Sequence, residues 1–195
     1  MRVSLRRSTA ALAIVAASVV AAGAQRDTFE RSFRAGPGAR LDVATNRGKI
    51  TLTAGDDDQI VVSGTVTARS GLNMPVNRGQ LVADAVAHPP IRQQGATVEL
   101  RPPSDPLVDR AVTIDYSVRV PPAAIVIARS DSGDIDVTLP ASSGVTLNAT
   151  TTSASIDIDS ALVDGTVDKN RARGAVHGGG PLWQLTTKSG AIHVK

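Results

Sequence analysis

The chain of 195 residues contains no cysteine and only four aromatic residues, Phe29, Phe33, Tyr116 and Trp183. The first absence excludes disulfides, thiolate metal sites, thiol chemistry and lipid attachment through an N-terminal cysteine. The second leaves the core to Val, Ile, Leu and Ala, which suits narrow stacked strands better than a deep ligand pocket. It also leaves little material for stacking nucleobases or sugars. Long apolar runs are missing too. The longest spans Ala10 to Ala22 and is interrupted by Ser18. That falls short of the ~20 residues a helix needs to cross a bilayer.

What precedes and follows this run makes it a secretory signal. Arg2, Arg6 and Arg7 supply a basic start, and Ala22-Gly23-Ala24 supplies a small-residue cleavage site, placing the cut before Gln25. The sequence therefore predicts a signal peptide over 1–24, no membrane span after its removal, and an exported product, whether periplasmic, envelope-bound or secreted. Cleavage also removes the apparent excess of positive charge. The whole chain has 21 Lys and Arg against 18 Asp and Glu, and three of those arginines leave with the signal. What remains is formally neutral, so net charge points to no nucleic-acid partner.

Residues 25–195 read as one all-β domain. Period-two alternation marks half-buried strands at Leu41–Val43, Lys49–Leu52, Val112–Val120 and Ile135–Leu139. Between Gly55 and Asp58 three consecutive acids read as a solvated turn rather than a calcium loop, whose ligands are spaced along a wrapping segment. Helical spacing of Leu81, Val82, Ala85 and Val86 predicts one short helix between Pro75 and His88, stopped by Pro89-Pro90. A strand follows at Ala96–Arg101, then a proline-rich loop from Pro102 to Pro106.

An internal repeat is the most informative feature, clearest over 124–195. Four segments align: those beginning at Ser130, Thr151, Arg171 and Thr187, with a fifth copy upstream at Thr45–Leu52. Their anchors are Gly133, Ala154, Gly174, Gly190 and, upstream, Gly48. Ile135, Ile156, Val176, Ile192 and Ile50 each lie two residues past an anchor and form one inward column. The reading is a strand entering a tight bend, where glycine tolerates positive φ, and a second strand leaving it. One such unit cannot bury its apolar side alone, whereas stacked units share a core. The expected fold is thus a β-solenoid, a β-helix-like stack of short strands; the alternative is an antiparallel β-sandwich with similar hairpins.

The S/T-x-S/R-G-x-I-x-V repeat, the preceding V-x-V-P boundary and the terminal T-T-K-S-G-A-I-H-V-K resemble the bacterial putative-adhesin family. The resemblance spans Phe33 to Lys195. It implies a β-strand-repeat domain in an envelope or extracellular setting, and it implies no catalytic residues.

A search for chemistry yields little. No G-x-S-x-G elbow and no phosphate-binding glycine loop is present. Three residues past the anchors lie Asp136, Asp157, His177 and His193, outward if the Ile/Val column points inward. Stacked at ~4.8 Å, the two imidazoles beside two carboxylates suggest a weak zinc, nickel or copper site. With Asp134 and Asp159 nearby, the acids alternatively suggest a carbohydrate-active face, since neighbouring carboxylates ~5 Å apart match a glycosidase. The plain reading is that outward positions are polar and wet. The expectation is therefore a non-enzymatic, adhesin-like binding protein without a cofactor, its partner a protein, a surface polymer or a second copy. The final strand, ending at Lys195, is expected to leave a rung that the early strands, the 75–88 helix or a partner must cover; uncovered, it is open to self-association through the C-terminal strand.

Overall fold

The computed structural model describes residues 26–36, 38–55, 58–69 and 77–195. The expected signal segment, and Asp56 and Asp57 of the acidic turn, lie outside them. Among the described residues the elements in chain order are β1 (Arg26–Arg34), β2 (Arg40–Thr45), β3 (Ile50–Ala54), β4 (Gln59–Ala68) and α1 (Arg78–Ala87). They continue with β5 (Ile91–Gln94), β6 (Thr97–Leu100), α2 (Pro106–Ala111), β7 (Val112–Val120), β8 (Ile125–Ser130) and β9 (Ile135–Thr138). The remainder is β10 (Val145–Thr151), β11 (Ile156–Ile158), a 3-10 turn at Ser160–Leu162, β12 (Val163–Asp168), β13 (Arg171–Val176), β14 (Leu182–Thr187) and β15 (Ile192–Val194).

These strands form two mixed sheets. One runs β1-β4-β7-β3-β9-β15-β11 and the other β12-β13-β10-β14-β8-β2-β6-β5. Four repeat copies pass from the eight-stranded sheet into the seven-stranded one at their bends: β2 to β3, β8 to β9, β10 to β11 and β14 to β15. Copies pair in parallel within each sheet. Inward residues from both sheets form one buried cluster, in which Leu41, Ile50, Ile135, Leu147, Trp183, Leu185 and Ile192 are fully buried. Alternation places these side chains inside for the reason the sequence suggested.

The spatial order of the copies differs from their order in the chain. β14 lies between β8 and β10, and β15 between β9 and β11. The C-terminal rung is therefore neither open nor terminal: the last copy is internal, paired on both sides by other copies rather than covered by the 75–88 helix or a partner. Its strands match the Ile and Leu columns of neighbours made earlier, so insertion buries it more completely than terminal stacking would. The sheet edges are instead β1, β11, β12 and β5.

The copy at Arg171 is also corrected. Its strand β13 does not cross between sheets but pairs antiparallel with β10 and β12 in the eight-stranded sheet. Val176 accordingly sits opposite Val145 and Val163, away from the column of Ile50, Ile135, Ile156 and Ile192. Gly174 is no bend anchor. It faces Gly165 across the β12–β13 hairpin, where an added Cβ would lie 2.4 Å from the Asp164 carbonyl oxygen.

At three of the four bends glycine is required mainly for close approach, whereas the β10–β11 bend carries Ala154 without a positive φ. Gly48 has φ of 102°. Gly133 and Gly190 do not have positive φ, but a Cβ on Gly133 would lie 1.7 Å from the Gly48 carbonyl oxygen, and one on Gly190 2.1 Å from that of Gly133. Each bend backbone thus rests directly on the previous one. The first residue of each repeat secures it. Thr45, Ser130, Thr187 and Thr151 form a buried row of hydroxyls across β2, β8, β14 and β10. Ser130 Oγ accepts from the Gly133 N–H (2.7 Å) and Thr187 Oγ1 from the Gly190 N–H (3.0 Å). Thr187 Oγ1 donates onward to the Gly133 carbonyl (3.3 Å), and Thr151 Oγ1 to that of Gly190 (2.9 Å). Buried polar groups are thereby satisfied along the stack.

The expected helix is present as α1, capped by Asn77, whose side chain accepts from the Gln80 N–H (3.2 Å), with Val82 and Ala85 buried. It packs on β1 and β4. A second helix, α2, starts at the last residue of the expected loop and covers residues 107–111, for which the sequence suggested no element. Pro106 opens it at a position where its missing N–H costs nothing, and Asp105 caps it.

Candidate functional site

Cross-strand register decides which outward residues meet. On the seven-stranded sheet one row runs Glu30, Ser63, Ser117, Thr51, Asp136, His193, Asp157, one residue from every strand. Three of the four residues expected in a metal-binding column therefore share a row. His193 Nδ1 lies 3.5 Å from Asp157 Oδ2. Asp136 is engaged by the Lys49 ammonium, and this hydrogen bond raises the Lys49 pKa above its ordinary value although partial desolvation opposes it.

The fourth, His177, is elsewhere. It follows β13 at the end of the other sheet, in a left-handed conformation (φ 49°), with Nδ1 3.4 Å from the Ser143 carbonyl oxygen. The two histidines are not strand neighbours, because the copy carrying His177 does not cross between sheets. Among the described residues no group of three His, Asp or Glu is placed to hold a metal ion. The carboxylate pair is corrected as well. β15 separates Asp136 from Asp157, so the two stand two strand spacings apart, ~9–10 Å, rather than one. Asp134 accepts from the Ala191 N–H (2.8 Å) and Asp159 caps the 3-10 turn through the Ala161 N–H (2.9 Å). Both serve the backbone.

The eight-stranded sheet carries a face that sequence reasoning missed. Its outward side chains include Arg40, Arg92, Arg129, Arg171 and Arg173, with Arg101 directly after β6. One row reads Arg129, Thr186, Thr150, Arg171 across β8, β14, β10 and β13. The adjacent row reads Arg92, Glu99, Asp42, Ile127, Gln184, Asn148, Arg173. A formally neutral chain gives no hint of such a face. The signal that would have found it is the alternation Arg171-Ala172-Arg173, which aims two cations to one side of a strand.

Asp42 is the electrostatic centre of this face. Only 9% exposed, it receives Arg101 at 2.8 Å and Arg129 at 3.1 Å. Burial alone would raise its carboxyl pKa. The hydrogen bond from Arg101 and the charges of Arg101, Arg129 and Arg40 outweigh that and hold it below the ordinary 3.8. Beside it an open groove of about 390 Å³ is lined by Pro89, Pro90, Arg92, Glu99 and Arg101 among others. A second space, of about 10 Å³, lies against Thr45, Arg47 and Tyr116. The Tyr116 hydroxyl is buried without a hydrogen-bond partner, and burial pushes its pKa above the ordinary value of 10.

No protein-family model matches the chain, and no curated protein does. Among solved structures it is similar to a putative cell adhesion protein from Clostridium sporogenes, at 10% identity and a TM-score of 0.37, covering 87% of this chain and 99% of that one. It is also similar to a putative adhesin from Bacteroides fragilis, at 10% identity and a TM-score of 0.31, covering 87% and 96% of the two chains.

Proposed function

We propose that this chain is an exported, non-catalytic binding protein of the envelope or extracellular space, acting in an adhesin-like way through the outer faces of its sheets. The observation that carries the reading is that three of the four candidate acids are already engaged. Asp134 and Asp159 bond backbone N–H groups, and Asp136 is paired with Lys49. What is left outward is Asp157, exposed beside His193, within rows of polar side chains suited to extended contact rather than to enclosing a reacting atom. Export rests on the pattern of the first 24 residues. The parallel pairing of four strand–bend–strand copies supports reading the architecture as a β-helix-like stack flanked by antiparallel strands, in preference to an antiparallel sandwich. No helix among the described residues is long and apolar enough to cross a membrane.

The test incubates residues 25–195 with neutral and acidic polysaccharides and with chromogenic esters, recording both retention and product. Retention on a surface polymer with no product is the expected result. Product release that disappears in the Asp136→Asn/Asp157→Asn variant would instead establish a carbohydrate-active enzyme.

A further inference from the structure

Resting on that reading, we infer that the outer face of the eight-stranded sheet, from β8 to β13, binds an acidic polysaccharide, a polymer carrying carboxylates among many hydroxyls. The first ground is charge. On β8, β14, β10 and β13 the outward cations are Arg129, Arg171 and Arg173 and there is no outward acid; the neighbouring strands β2, β6 and β5 add Arg40, Arg92 and, just after β6, Arg101 against Asp42 and Glu99. Those two acids are already held: Asp42 by Arg101 and Arg129, Glu99 by Arg101 at 3.5 Å. Arg171 and Arg173 are exposed while Ala172 between them is fully buried. Among the described residues neither makes an ion pair. Arg173 is steadied by donating from Nε to Asn148 Oδ1 at 3.0 Å, which leaves its terminal nitrogens outward.

The second ground is what stands between the cations. Arg129 and Arg171 share a row with Thr186 and Thr150 between them, spanning three strand steps or ~14 Å. The parallel row places Gln184 and Asn148 before Arg173. Guanidinium groups bind carboxylates bidentately, and the interleaved hydroxyls and amides both donate and accept, as sugar hydroxyls require. A polymer lying across the strands meets a new polar side chain every ~4.8 Å. No aromatic ring lies on this face: Trp183 is fully buried and donates to the Ala124 carbonyl (3.2 Å), and Phe29 and Tyr116 belong to the other sheet. That separates the face from a single-stranded nucleic-acid platform, which stacks bases. Asp164 and Asp168 on β12 border the face at its edge, with Asp168 opposite Arg171, and confine the polymer to the β8–β13 side.

Residues 25–195 are titrated with polygalacturonate at low and at high salt, beside neutral dextran, single-stranded DNA and anionic phospholipid vesicles. The variants are Arg171→Gln/Arg173→Gln and, on the other sheet, Glu30→Gln/Ser63→Ala; unchanged circular dichroism verifies that both fold. Polygalacturonate binding that high salt weakens, that falls on the order of tenfold in the arginine variant and that stays within about twofold in the control is the expected result. Absent polygalacturonate binding, equal binding by the arginine variant, or tighter binding to DNA or vesicles overturns this inference alone. Shortening of the polymer during incubation overturns the non-catalytic reading on which it rests.

Discussion

The bends carry the stack residue by residue, and the hydroxyl row is where single substitutions act most sharply. Thr187→Val keeps the side-chain shape but leaves the buried Gly190 N–H without its acceptor and the Gly133 carbonyl without a donor. Chemical denaturation should show a loss of about 1–3 kcal/mol. Gly133→Ala drives a Cβ into the backbone of Gly48, and should lose about 3 kcal/mol, the upper end for overpacking, by the same measurement. Asp42 adds a pH signature. Its native pKa lies below the ordinary 3.8, so its stabilisation is fully present above that value and is lost as pH falls through the native pKa. Asp42→Asn should therefore be less stable at pH 7 and lose less stability than the parent on acidification below pH ~4. The repeat's glycines and its Ser/Thr position were legible as a pattern. Their roles were not, because positive φ and close approach both select glycine, and only stacked backbones tell them apart.

Among elements, strand existence was readable wherever apolar residues alternate, as at β2, β7, β9 and β10. It was less readable at β1 and β5, where charged edge residues dilute the alternation, as edge strands do. α2 was hidden by its opening proline. β13 was misread because Gly174 and Val176 fit a short degenerate motif while the strand turns back antiparallel. The placement of β14 and β15 could not be read at all: parallel pairing is non-local, and nothing in a repeat states its spatial order. Deleting 181–195 removes both partners that join β8 to β10 and β9 to β11. Circular dichroism and gel filtration should find the truncated chain unfolded or aggregated. A folded monomer would mean the remaining copies close up without it.

At the scale of the whole molecule, interior insertion of the last copy moves attention from a terminal edge to the sheet faces. Strands over fifty positions apart must meet in the core, as β9 and β15 do, and such contact order slows folding. One face carries a row with the carboxylates of Glu30, Asp136 and Asp157, of which Asp136 is paired with Lys49; the other concentrates arginine. The candidate site was half legible: Asp136, His193 and Asp157 do share a row, but His177 does not join them, and the arginine face was invisible in a neutral composition.

Hydrogen exchange on residues 25–195 tests the central claim most directly. With β14 and β15 inside their sheets, the amides of Leu182–Thr187 and Ile192–Val194 should exchange among the slowest in the protein, well behind those of β12. Fast exchange at Ile192–Val194, matching a fraying edge, would contradict the insertion of the final copy and restore an open C-terminal strand.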